Sequence, residues 1–113
     1  MDLINEIQAL MEELTISIRK LEQTGRALAE AERDYKITLR QEALKLRVEK
    51  DMPVTLINQI IFGVPEVAEK RFKRDVAETI YNTNQEHINA TKLKLRLLES
   101  QLNREWGNVK NEV

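Results

Sequence analysis

From Ile4 to Leu46 apolar residues recur at alternating steps of three and four, and no proline interrupts them. The row runs Ile4, Ile7, Met11, Leu14, Ile18, Leu21, Gly25, Leu28, Glu32, Tyr35, Leu39, Glu42 and Leu46. Such a heptad pattern places its members on one face of an α-helix and requires a second apolar face to cover them. Asp2 stands before it as an N-cap, its carboxylate suited to the orphan amides of the first turn. A second long pattern begins at Pro65, a residue favoured at the first helical position because its missing N–H would be unpaired there. Its row includes Phe72, Ala77, Tyr81, Asn84, Ile88, Thr91, Leu95, Leu98, Leu102, Trp106 and Val109, with Trp106 as a core anchor.

Both prolines of the chain fall in the short stretch "KDMPVTLINQIIFGVPE" between the two rows. Pro53 disfavours helix at the residue before it, so the first helix ends near Asp51. Thr55 is suited to cap a short helix over "LINQIIF", and Gly63 to close it in a left-handed conformation. Ile37, Leu44 and Val48, a further apolar row at the end of the first helix, offer a surface to receive it. The reading is all-α: a long antiparallel helical hairpin, coiled-coil-like, with a short helix at the tip. A single domain spans residues 1–113, with helices at 2–50, 55–62 and 65–109. Two helices of matched length joined by a short connector fold back on each other, and pairing them about its centre joins positions adding to about 115. Gly25 then falls beside Ala90 and Thr91, where small residues let two backbones approach.

Composition narrows the function classes. Of 113 residues 33% are charged, yet 18 Lys and Arg nearly cancel 19 Asp and Glu, for a net charge of −1. No global field draws the chain to nucleic acid or an anionic membrane. The absence of cysteine removes disulfides, thiolate metal sites and thiol nucleophiles. No run of about 18 apolar residues is present, and the acidic start "MDLINEIQ" is unlike a secretory signal. The expectation is a soluble, cytoplasmic chain with no membrane contact. His87 is the only histidine, neither Ser17 nor Ser100 belongs to a nucleophile motif, and no Gly-rich phosphate loop occurs. No catalytic residue, metal ligand or cofactor site is expected, and the chain reads as a non-enzyme.

Two features go beyond architecture. The tip segment "TLINQIIFGVPEVAEKRFKRD" has the outline of a helix-turn-helix, with Lys70, Arg71, Lys73 and Arg74 on the following helix. Gln59 stands where that motif takes a small residue, Glu69 where it takes an apolar one, and Glu66, Glu69, Asp75 and Glu78 offset the basic cluster. Nucleic acid is not the expected partner. Ile57, Ile61 and Phe62, with that cluster, form a candidate partner surface at the tip. The second feature is Ile16, about 200° from the row that holds Leu14 and Ile18. Leu93 and Leu97 lie off the second row in the same way. A hairpin covers one face of each helix, so these residues, with Leu3 and Leu10 contributing, read as an oligomer interface, most simply of a homodimer.

The segments "GRALAEAERDYKITLRQEALKLR" and "PEVAEKRFKRDVAETIYNTNQEHINATKLKLRLLESQLNREW" resemble those of small helical proteins of temperate phages and prophages of low-GC Gram-positive bacteria, over about residues 24–106, with a central "MPVT" break. The resemblance implies a bacterial host cytoplasm and a phage-related setting, and carries no activity onto any residue. The expected function is a phage-related interaction or assembly protein. The alternatives are a nucleic-acid-associated phage protein using the basic cluster with Lys36 and Arg40, and an inhibitor binding a host protein through the apolar tip.

Overall fold

A computed structural model describes residues 2–112 of the chain, with side chains for residues 2–107; the Val109 side chain lies outside them. The described residues form no strand. They form α1 (Leu3–Glu49), α2 (Val54–Ile60), a single 3-10 turn (Ile61–Gly63) and α3 (Pro65–Glu112). α1 and α3 pair as a helical hairpin, and α2 occupies the connector, with bounds close to those expected.

The ends of the elements have local causes. Asp2 caps α1: its Oδ1 accepts from the Ile4 N–H at 3.0 Å. α1 stops at Glu49 ahead of Asp51, which has φ 49°, the one positive φ among the described non-glycine residues. Asp tolerates the left-handed region better than most residues with a Cβ. The Met52 N–H then turns back to the Leu46 carbonyl at 3.2 Å, and the Arg47 guanidinium donates to the Met52 carbonyl at 3.0 Å. Thr55 is not the cap of α2. Pro53 holds that position in extended conformation (φ −61°, ψ 145°), and its carbonyl accepts from the Leu56 and Ile57 amides. Nor does Gly63 adopt a left-handed φ; the reversal sits at Asp51 and at the extended residues Pro53 and Val64. Pro65 opens α3 as expected, with the Val64 carbonyl accepting from Ala68 at 2.9 Å.

Because Gly63 has neither a positive φ nor any atom within 4 Å of where a Cβ would stand, its substitution should restrict only the unfolded chain. Gly63→Ala is expected to raise stability by about 0.4–1 kcal/mol, read as a higher urea midpoint. A lower midpoint would show that the turn does need glycine.

The chain divides into two compact units. One comprises Gln23–Tyr81 and the other Met1–Glu22 with Asn82–Val113. In the first, Tyr35, Ile57, Ile61 and Val67 form a buried cluster walled by Leu39, Ala43, Leu46, Met52 and Val64. Val67 is fully buried. The tip helix therefore packs on the main row of α1. The row proposed to receive it is left outside, with Ile37 49%, Leu44 58% and Val48 76% exposed. The start of α3 shares this cluster with α2, Val67 packing with Tyr35, Ile57 and Ile61.

That displaces the pairing. Glu13 meets His87, Ser17 meets Asn84, Gly25 lies against Tyr81 and Tyr35 lies under Arg74, pairs whose numbers add to 100, 101, 106 and 109. The expected value near 115 is too high, because a connector folded back onto α1 shortens the stretch left for α3. Gly25 does not face Ala90 and Thr91. A Cβ there would stand 3.2 Å from the Tyr81 ring, so the glycine makes room for an aromatic side chain.

The second unit has a polar-centred seam. Ser17, Asn84 and Thr91 are buried with Ile88 and Leu95. The Asn84 side-chain amide crosses to the Ser17 carbonyl at 3.1 Å, and the Thr91 hydroxyl donates to the His87 carbonyl within α3 at 2.8 Å. On α1 the covered row in this unit is Leu3, Ile7, Leu10, Leu14, Ser17 and Leu21. Ile7, Leu14 and Leu21 are as expected. Ile4, Met11 and Ile18 are not covered: they are 46%, 54% and 50% exposed, and the residue just before each takes the seam.

Candidate interaction surfaces

In the unit of Gln23–Tyr81 the tip presents a mixed apolar and basic surface. Ile57 and Ile61, expected on a partner surface, are 5% and 4% exposed and belong to the core. The side of α2 and of the following 3-10 turn that packs on α1 takes them, and Val54, Leu56, Ile60 and Phe62 are left exposed instead. Phe62 agrees with expectation and carries the Arg71 guanidinium 5.1 Å from its ring centre. Phe72, placed on the seam by sequence, is 63% exposed, and Val76 and Ile80 follow it outside at helical spacing. A groove of about 480 Å³ runs along α1 beside Ile37, Leu39 and Ala43, with Lys36 and Arg40 at its rim.

The basic cluster is engaged by its own neighbours. Arg74 donates through Nε and Nη2 to Asp75 at 3.1 and 2.8 Å, and its guanidinium lies 4.7 Å from the Tyr35 ring centre. The hydrogen bond to Asp75 holds its pKa above the ordinary arginine value. Lys73 lies 3.8 Å from Glu69 one helical turn away. Lys70 is half-buried and, with Lys73, borders a small groove that also holds Glu30 and Asp34. Lys45, raised by its hydrogen bond to Glu42, repeats the pattern on α1. A surface of interleaved charges presents little net field to a phosphate backbone.

In the other unit, Ile16, Leu93 and Leu97 are 64%, 55% and 61% exposed, as the sequence reading required of an interface. Leu3 and Leu10 are half-buried in the seam and do not join them. Trp106, expected to anchor the core, is 60% exposed, since α3 turns Leu98 and Leu102 inward at this end. A groove of about 580 Å³ between the helices has Leu3, Leu98 and Leu102 with the carboxylates of Asp2, Glu6 and Glu105. His87 Nε2 stands 3.0 Å from a Glu13 carboxylate oxygen, both side chains about half exposed. No group of three or more metal-ligating side chains occurs among the described residues. No helix among them is long and apolar enough to cross a membrane.

Sequence reading missed Ile4, Met11 and Ile18 as surface residues. The signal was present in the adjoining row, where Leu3 and Leu10 hold the positions one residue earlier. Comparison with protein-family models, with curated proteins and with solved structures returned no match.

Proposed function

We propose that the chain is a non-catalytic interaction or assembly protein whose helical hairpin self-associates. One observation carries this: among the described residues seventeen large hydrophobic side chains are exposed, against six in the buried core. A monomer with that balance leaves a large apolar surface in contact with water. A half-exposed aliphatic side chain gains about 1 kcal/mol on full burial, half of the usual whole-residue value. Association costs roughly 4–15 kcal/mol, and a two-fold dimer counts every contributing residue twice. The exposed set is large enough to meet that cost even if only part of it is covered. The phage-related bacterial setting remains part of the proposal, supported by the resemblance over residues 24–106; a coding sequence outside any phage-derived gene block would remove it.

Sedimentation equilibrium from about 1 to 100 µM is expected to give a mass that rises from one chain toward two, a span suited to a small interface. A single-chain mass throughout would overturn self-association. A second reading is favoured by Leu56, Ile60 and Phe62 beside Arg71: the tip binds a protein partner. Capture of one stoichiometric protein that is lost on Phe62→Ser, with the mass of the chain unchanged, would support it over self-association.

A further inference from the structure

In the unit of Gln23–Tyr81, α1 carries a basic row beside its seam. Arg26, Ala29, Arg33, Lys36, Arg40, Ala43 and Arg47 recur at steps of three and four, each one residue after a member of the first heptad row. The four arginines stand seven residues apart, and the row holds no carboxylate in a chain whose acids outnumber its bases. Glu22, the next position toward the N-terminus, ends the run. All five cations are exposed. Positions flanking a helical seam ordinarily carry charges that pair across it and select the neighbour. Here the pairing inside the chain is slight. Arg33 meets Asp34 on its own helix at 3.4 Å, with both side chains exposed, and Arg47 donates to the Met52 carbonyl. Among the described residues no ion pair joins the row to α2 or α3, and α2 has no charged residue to offer. Glu30 and Glu32 lie one turn from Arg26 and Lys36 without pairing with them. Between Lys36 and Arg47 the one carboxylate is Glu42, which is on the far side of the helix and held by Lys45.

We propose that this row docks an acidic helix of a partner protein, one with carboxylates at seven-residue intervals; it does not rest on self-association. From Arg26 to Arg47 the row covers about 32 Å of helix, three heptads of a neighbour lying alongside. A strict seven-residue repeat keeps facing such a neighbour turn after turn. The planar fork of arginine takes a carboxylate through two parallel hydrogen bonds. Ala29 and Ala43 stand between the arginines, where short side chains let a second helix come close. The groove of about 480 Å³ lined by Ile37, Leu39 and Ala43, with Lys36 and Arg40, gives apolar side chains of that helix a place beside its carboxylates. The lopsided charge of the face decides against other polyanions. Beyond the exposed Ile37, Leu44 and Val48, its opposite edge carries Asp34, Lys45 and Glu49. A membrane surface or a phosphate backbone lying over the whole face would meet those carboxylates, whereas a helix with one acidic edge does not. Nor does the row contain an aromatic side chain on which a base could stack.

The full chain is titrated with a synthetic helical peptide of about four heptads, with Glu at every seventh position beside a row of Leu and Ala. The expected Kd is micromolar, weakened at least about tenfold by Arg33→Glu with Arg40→Glu. Lys92→Glu with Arg96→Glu makes the same change of charge on α3 in the other unit and should alter binding less than about twofold, being screened by salt. Circular dichroism should show both variants as helical as the parent. Arg40→Gln removes one charge and keeps a long stem; it should weaken binding about threefold, and it reports on the row should the double variant unfold. The same peptide with Lys in place of Glu, and single-stranded or duplex DNA of similar length, should bind at least about tenfold more weakly than the Glu peptide. Equal losses in the two double variants would overturn the row as the docking site. DNA binding tighter than the peptide, and lost in Arg33→Glu with Arg40→Glu, would overturn the acidic helix in favour of a phosphate backbone. No binding of the Glu peptide up to about 1 mM would overturn both the site and its occupant.

Discussion

Val67→Asp is expected to melt the tip cluster, lowering stability by about 3–5 kcal/mol. Val67 has no exposed surface and touches the cluster of Tyr35, Ile57 and Ile61. The substitution forfeits roughly 1.5 kcal/mol or more of burial and places a carboxylate among apolar groups without a partner, at a further ~1–3 kcal/mol. Hydrogen exchange gives the sharper readout. Amides of Val54–Ile60 should lose their protection, since α2 is seven residues long and too short to persist without the core beneath it. Val67→Ile, which keeps the apolar character, should leave that protection largely intact. Retained protection of α2 in Val67→Asp would show that the cluster does not depend on this side chain.

Asn84→Leu is expected to do the opposite to stability while damaging specificity. Asn84 occupies a buried seam position and spends one amide hydrogen on the Ser17 carbonyl. That carbonyl can also accept within its own helix, so its loss of Asn84 leaves no orphan. Replacing the amide by an aliphatic group of similar size should raise the urea midpoint, by about 1–2 kcal/mol on the scale of buried polar groups in helical seams. The helices would then lose the buried side-chain bond that ties Ser17 of α1 to Asn84 of α3 in this unit. A cysteine pair at positions 13 and 87 should cross-link efficiently in the parent and less selectively in Asn84→Leu, whereas a pair at 14 and 102 should not cross-link in the parent. A destabilised Asn84→Leu would mean that the amide contributes more than register.

What could be read from sequence, and what could not, divides along physical lines. The ends of the helices were legible because Asp2, Pro53 and Pro65 act locally: each restricts or caps the backbone of its immediate neighbours, whatever the rest of the chain does. Ile7, Leu14 and Leu21 were legible because both possible heptad rows share them. The alternate positions were not. Ile4, Met11 and Ile18 are at least as apolar as Leu3, Leu10 and Ser17, and the choice between them belongs to α3, which offers the small polar side chains Asn84 and Thr91 at mid-seam. The pairing offset was hidden for a similar reason. It depends on how much of α1 the connector covers, and therefore on Ile57 and Ile61 packing against Tyr35 and Leu39 rather than on Ile37 and Leu44. Of the candidate interaction residues, Ile16, Phe62, Leu93 and Leu97 are outside as expected, because each lies off every shared row. Ile57 and Ile61 are inside because a short helix has only one face to give, and theirs is the one it gave.

The packing of α2 against α1 also sets an order of events. Ser17 and Asn84 are 67 residues apart along the chain, and Tyr35 and Val67 are separated by about half that. Each doubling of a closed loop costs about 0.6 kcal/mol in chain entropy, so the shorter closure, which forms the tip cluster, is the less costly of the two. Once the bend is closed, the distant partners are no longer at the ends of a free 67-residue loop. Each later pair needs only the next turn of helix to be laid down. Assembly is then expected to run like a zipper, from the bend outward, with contacts such as Glu13 with His87 forming after the tip cluster. Refolding of Val67→Asp should accordingly be slowed, while Asn84→Leu should act mainly on the unfolding rate.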